Sequence, residues 1–199
     1  AVNVSWDRSN PKIEISDLKN LHEYELIRED WRREVIAVKA RRRVVVGPSM
    51  SFAFENRLTV LNQIQEMCRA ERIVRPGAVQ AEIDVYNELL PGPGELSATL
   101  FVEIPRLEDV QPALDAMIGL DDGKCVWLEI GGSRTYARFL EGQGRGDRIA
   151  AVQYVRFPVG GGYGGYALYL FPCRDDRDQA VKDNPAMKRV EPYCRQLFK

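Results

Sequence analysis

Three glutamates, Glu55, Glu66 and Glu71, fall on or beside one predicted helix, together with Gln63 and Gln65. Carboxylates spaced in this way can bind a hard or borderline metal ion, or exchange protons as general acid and base. Glu71 stands out among them. It follows Ile64 by seven residues, and Arg57 precedes Ile64 by seven, so both charges are expected on the apolar stripe of the helix. A charge placed there must find a partner or bear a desolvation cost of several kcal/mol. The structural alternative to a reactive site is a buried ion pair of Glu71 with Arg57 or Arg72. A second concentration of charge is Arg41, Arg42 and Arg43, with Lys39 two positions earlier. These cations can seat a phosphate or an acidic partner. They can equally be a solvated helix end, where the helix dipole favours positive charge.

Other chemistries lack their parts. His22 is the only histidine, which excludes within one chain a His-rich metal centre and a two-histidine di-iron helix pair. A Ser-His-Asp triad would have to use His22, which is expected at the start of a helix. The four cysteines, Cys68, Cys125, Cys173 and Cys194, form no CxxC pair of the kind a structural zinc site uses. Cys68 is expected to be a packed core thiol. Cys173 and Cys194 flank a charged, turn-rich segment and are the pair able to form a disulfide under oxidising conditions. The run from Gly160 to Gly165 lacks the Lys-Ser/Thr ending of a P-loop and is expected to be a flexible hairpin loop. No cofactor-binding motif is present, and no cofactor is expected.

The elements that must position these residues follow from periodicity. Asn20 followed by Glu23 is a capping-box pair. Behind it Tyr24, Ile27, Trp31, Val35 and Val38 recur at helical spacing. Val44 to Val46 and Ser51 to Glu55 read as a strand pair, with Phe52 and Phe54 on one face. Asn56 to Ile73 is the second helix and carries Val60, Leu61, Ile64, Met67 and Cys68 in one arc. Val79, Ile83, Tyr86 and Leu90 define a third, stopped at Pro91. The period then changes to two. Strands are expected at Glu95 to Ile104, Cys125 to Ile130, Thr135 to Leu140, Ile149 to Phe157 and Tyr166 to Phe171. A short helix is expected from Leu107 to Ile118. Short turns between the later strands imply an antiparallel meander.

The fold class expected is therefore α+β: N-terminal helices packed on a mainly antiparallel β-meander in a single domain. Residues 1–16 read as an extended arm, with a short strand at Lys12 to Ile15. Residues 17–172 form the domain. Residues 173–199 are a charged tail with room for a short helix at Met187 to Phe198. The chain has 199 residues, 28 basic against 29 acidic, with 45% hydrophobic residues. Its net charge of −1 supplies no overall field to attract nucleic acid or an anionic membrane, and no apolar run is long enough to span a bilayer. A cytoplasmic setting with reduced thiols is the default expectation.

Several stretches together resemble one bacterial family. They include Leu21-His22-Glu23-Tyr24-Glu25, Lys39-Ala40-Arg41-Arg42-Arg43-Val44 and Phe54-Glu55-Asn56-Arg57-Leu58-Thr59-Val60. They continue with Gln63-Ile64-Gln65-Glu66-Met67, Ala70-Glu71-Arg72-Ile73, Ala81-Glu82-Ile83-Asp84-Val85-Tyr86-Asn87 and Leu96-Ser97-Ala98-Thr99-Leu100. The chain is similar in these stretches to domain-of-unknown-function family 3501, over roughly Ile13 to Phe157. From Gly160 onward it departs from the pattern. The family brings no established reaction. Its members are often encoded near rubrerythrin-like proteins and iron–sulfur oxidoreductases, and the resemblance thereby implies an accessory role in redox or oxidative-stress metabolism.

The expected function is a non-catalytic accessory or interaction protein for such a complex, with an iron–sulfur or rubrerythrin-like partner. Its binding surface would comprise Arg41, Arg42, Arg43, Glu55, Asn56, Arg57, Gln63, Glu66, Glu71 and Arg72. The alternative is a carboxylate-based metal-binding protein or enzyme using Glu55, Glu66 and Glu71.

Overall fold

The fold is built from one long helix, a polar-edged second helix and a twisted antiparallel sheet. It is a computed structural model that describes residues 12–121, 125–130, 133–140, 149–160 and 167–170. Helix α1 spans Leu21–Arg42, and the Asn20 side chain caps it by accepting from the Glu23 amide at 2.9 Å. Tyr24 and Val35 are buried along it and Trp31 is half-buried, as the spacing predicts. Ile27, expected on the same stripe, is exposed, and Arg28 takes its place facing the second helix.

Helix α2, Arg57–Ala70, starts at a capping box. Asn56 Oδ1 accepts from the Thr59 amide at 2.9 Å, and Thr59 Oγ1 accepts from the Asn56 amide at 2.9 Å. Asn56→Ala removes the first of these and is expected to cost about 1 kcal/mol, measured by urea denaturation. An unchanged midpoint would show that the cap contributes nothing. Helix α3 spans Pro76–Asn87, with proline in its first turn.

In place of the strand expected at Lys12 to Ile15, the chain makes a 3-10 turn at Ile15–Asp17. The Asn87 amide at the end of α3 grips both backbone groups of Ile13, at 2.9 and 3.0 Å, and Ile13 is buried. A side-chain amide reproduces here the pairing a neighbouring strand would offer, so no strand is needed.

The strands are β1 (Arg43–Val46), β2 (Met50–Phe54), β3 (Glu95–Val102), β4 (Val126–Ile130), β5 (Ser133–Tyr136), β6 (Arg138–Phe139), β7 (Val152–Pro158) and β8 (Ala167–Leu170), with helix α4 (Leu107–Ala116) between β3 and β4. Five of them form one sheet in the order β1-β2-β3-β7-β6, and three form another, β5-β4-β8. Every pairing is antiparallel. The result is a single α+β domain, as the sequence predicts. The later strands do not follow one another across a single sheet. After β3 the chain passes through α4, makes β4 and β5 of the small sheet, returns to the large one as β6 and β7, and adds β8 to the small sheet beside β4.

Register divides the large sheet into two unlike faces. Phe52 pairs with Leu100, Phe54 with Ala98, Ala98 with Val155 and Leu96 with Phe157. These side chains form the larger core, closed by Leu114 and Met117 beyond them and by Val126 and Leu128 of β4. On the opposite face the alternate positions are Ser51, Ala53, Ser97, Thr99 and Tyr154. This polar face lies under the helices. The second core, with Val60, Ile64, Cys68 and Ile83, packs there and takes in Tyr154 and Leu140.

Candidate functional site

Several of the polar residues singled out by sequence lie on or beside α2, and Glu55, Asn56, Arg57, Gln65 and Glu66 each have a partner within the fold. Glu55, between β2 and the α2 cap, is 3% exposed. Its carboxylate accepts from Thr99 Oγ1 at 2.6 Å and from Thr59 Oγ1, joining sheet to helix. Its charge, together with burial, pushes the Tyr154 phenol up, burial being the larger effect. Asn62 accepts from the Trp31 indole at 3.0 Å. Gln65 is buried, and its amide both donates to and accepts from the Lys19 backbone at 2.9 Å. Glu66 faces α1. It accepts from Tyr24 Oη at 2.6 Å and from Arg28 Nε and Nη2 at 2.8 and 2.9 Å, with Arg69 at 3.5 Å. The Arg28 guanidinium is the largest cause holding the Glu66 carboxyl down, to about 2, with the Tyr24 hydroxyl assisting against the opposing effect of burial.

Glu71 differs from its expectation. The helix ends at Ala70, and Glu71 is the exposed C-cap residue. Standing in water at the helix end, it needs no buried partner. Arg57, the other charge expected on the apolar stripe, sits in the first turn and pairs with Asp17 at 2.5 Å, not with Glu71. Arg72 follows with a positive φ of 52°. The Ile73 amide closes the turn on the Cys68 carbonyl at 2.9 Å, the six-to-one bond of a Schellman ending. Glycine is favoured at that position, so Arg72→Gly is expected to raise stability by roughly 0.5–1 kcal/mol. A lowered melting temperature would contradict this.

The basic cluster is divided between three environments. Arg41 is exposed. Arg42 is buried, and its guanidinium donates to the carbonyls of Phe54 at 2.7 Å and Glu55 at 2.9 Å. Arg43 pairs with Glu103, which also accepts from Ser51 at 2.8 Å, and lies 5.5 Å over the Phe101 ring. The cluster is not a uniformly solvated helix end, nor one continuous basic surface. Gln63 is half-buried, with its amide oxygen buried and without a hydrogen-bond partner among the described residues. His22 is exposed. Cys68 is buried as expected, and burial pushes its thiol up. Cys173, Cys194 and the tail lie outside the described residues.

Glu55, Glu66 and Glu71 do not form one ligand set. Among the described residues no group of three or more His, Cys, Asp or Glu side chains comes together to hold a metal ion. The structure instead adds partners that sequence reasoning passed over: Tyr24, Arg28, Thr59, Asn62 and Thr99. Arg28 was legible in part, because it lies one turn beyond Tyr24 and so shares its face. Thr99 carried no signal, since nothing local says that β3 passes beneath α2.

One cavity opens beside this framework. It has a volume of about 220 Å³ and lies between the 3-10 turn, the start of α1, the last turns of α2 and the start of α3. Its floor includes Gln65 and Cys68, and Ile15 and Val74 stand at its edge. No helix among the described residues is long and apolar enough to cross a membrane.

Comparisons with known proteins agree with this architecture and add no reaction. No curated protein matches the chain. A crystal structure at 1.90 Å, described as a novel protein of unknown function from Burkholderia pseudomallei K96243, has a similar fold with a TM-score of 0.71. It is 25% identical, and the match covers 90% of this chain and 100% of that one. The profile of a family described as "Protein of unknown function (DUF3501)" matches residues 12–163, and this chain belongs to that family.

Proposed function

We propose that this protein is a non-catalytic accessory or interaction protein of a redox or oxidative-stress complex in the cytoplasm, with an iron–sulfur or rubrerythrin-like protein as its partner. The observation that carries the reading is the division of labour around α2. Glu55, Asn56, Arg57 and Glu66 are spent on contacts within the fold. These commitments support a reading in which docking uses a surface other than that part of α2.

The surface that suits it is the end of the polar sheet face. Val45, Ser51, Phe101 and Val152 stand in one row across β1, β2, β3 and β7. Val45 is 70% exposed and Val152 40%. Val45, Phe101 and Val152 supply the row's apolar surface, with the buried Ser51 between the first two, and together with a charged pair (Arg43 and Glu103) beside them they have the make-up of a small interface core and its rim. The carboxylate-based reading has no comparable support, because Glu55 and Glu66 serve separate contacts and Glu71 stands exposed at the end of α2.

The test is purification of the chain from its native host at low salt, with co-eluting chains and bound iron recorded together. An iron–sulfur or peroxide-reducing partner is expected to co-elute, and to be lost in Val45→Glu/Val152→Glu with melting unchanged. Elution without such a partner, or retention of the partner by the double variant, would refute the proposal.

A further inference from the structure

The cavity beside Cys68 is independent of the docking reading and has features of its own. Its volume of about 220 Å³ exceeds the ~150 Å³ of an apolar protein cavity that takes up benzene. Its lining is mostly aliphatic. The polar groups at its floor offer little to a ligand. The Gln65 amide is held at both ends by the Lys19 backbone, and Cys68 contributes only a weakly polar thiol. The floor therefore favours an apolar group, since a buried polar one would replace few of its hydrogen bonds to water.

The walls are braced. The Gln65–Lys19 pair fixes one side, and the Schellman ending through Arg72 and Ile73 fixes the other. A site braced this way does not collapse on itself, which lowers the ordering cost of binding. At its edge Ile15 is 43% exposed and Val74 67%. Both keep apolar surface in water that a chain leaving the cavity would cover. Lys19 is the one charged residue among those lining it, so the polar end of such a chain is matched by a cation.

We propose that this cavity is a binding site for a medium-length aliphatic chain that carries an anionic end, the tail against Cys68 and the charge toward Lys19. Octanoate, hexanoate and 1-octanol, titrated separately into the full chain, test it. The readouts are the methyl NMR signals of Leu18 and Val79 and the alkylation rate of Cys68, mapped by mass spectrometry. Octanoate is expected to shift both methyls and slow Cys68 alkylation. Hexanoate, two methylenes shorter, is expected to bind about tenfold more weakly. Lys19→Met is expected to weaken octanoate severalfold and leave 1-octanol unchanged. Val79→Trp fills the cavity and is expected to abolish binding of both; Ile73→Phe serves the same purpose if the tryptophan variant does not fold.

The proposal is overturned if neither methyl shifts with millimolar octanoate. Equal octanoate binding by the filled variants overturns it as well. So would contacts from residues 1–11 to Val79 in the free protein, because the cavity would then be occupied by the chain itself. Unchanged octanoate affinity in Lys19→Met would remove the anionic end from the assignment.

Discussion

Arg42→Met is expected to destabilise the protein by about 3–5 kcal/mol. Arg42 is the last residue of α1, yet its guanidinium turns inward and is 8% exposed. It donates at 2.7 Å to the Phe54 carbonyl and at 2.9 Å to the Glu55 carbonyl, where β2 leaves the sheet for α2. The Glu55 amide makes the final ladder bond there, to the Ser97 carbonyl at 2.9 Å. A charge-assisted hydrogen bond in a buried setting contributes about 1.5–3 kcal/mol. Methionine keeps much of the apolar stem but withdraws both donors. Lysine supplies a charge without the planar fork, so Arg42→Lys should fall between the two. Urea denaturation with an unchanged slope provides the measurement. A loss below about 1 kcal/mol would mean that the guanidinium is better solvated than its burial indicates.

Removing the Glu66 charge gives the second large effect, and its dependence on pH identifies the cause. Arg28, first, and then Tyr24 hold the carboxyl at about 2, below its ordinary value of 4.5. A depressed folded-state value means that the stabilisation is fully present above about pH 5 and is lost as pH falls toward 2. Glu66→Gln is expected to cost about 2 kcal/mol at pH 7, a figure reduced from the full linkage value because the side chain is 27% exposed. Near pH 2 the variant and the parent should have nearly equal stability. The measurement is urea denaturation of both proteins between pH 2 and 7. A penalty of the same size at both ends would show that lost packing, not the charge, is responsible.

Much of the secondary structure was legible because it rests on local rules. Asn20 and Asn56 announce the two helix starts, since their side chains satisfy amides that have no partner within the helix. The alternation at Leu96, Ala98, Leu100 and Val102 announces a strand with one fully apolar face, and those four do line the larger core. Cys68, on an apolar arc, is buried as its position indicates. The charged positions are less legible. Extending the helical period to Ile73 puts Glu71 on the apolar stripe, but the helix stops at Ala70. Periodicity gives the azimuth of a side chain but not whether core or water faces it at the helix end.

Sequence by itself determined the fold class and most of the helix starts and strands. Capping, periodicity and β-branching act over a few neighbouring residues. Tertiary structure alone decided what the charged residues do. Arg41, Arg42 and Arg43 are adjacent and chemically identical, yet one is in solvent, one grips the β2–α2 junction and one lies over Phe101. Glu55 and Glu66 became cross-links because Thr99 lies 44 residues from the first, and Arg28 lies 38 from the second. A hydrogen bond between distant segments depends on how layers stack, and no local preference encodes that stacking.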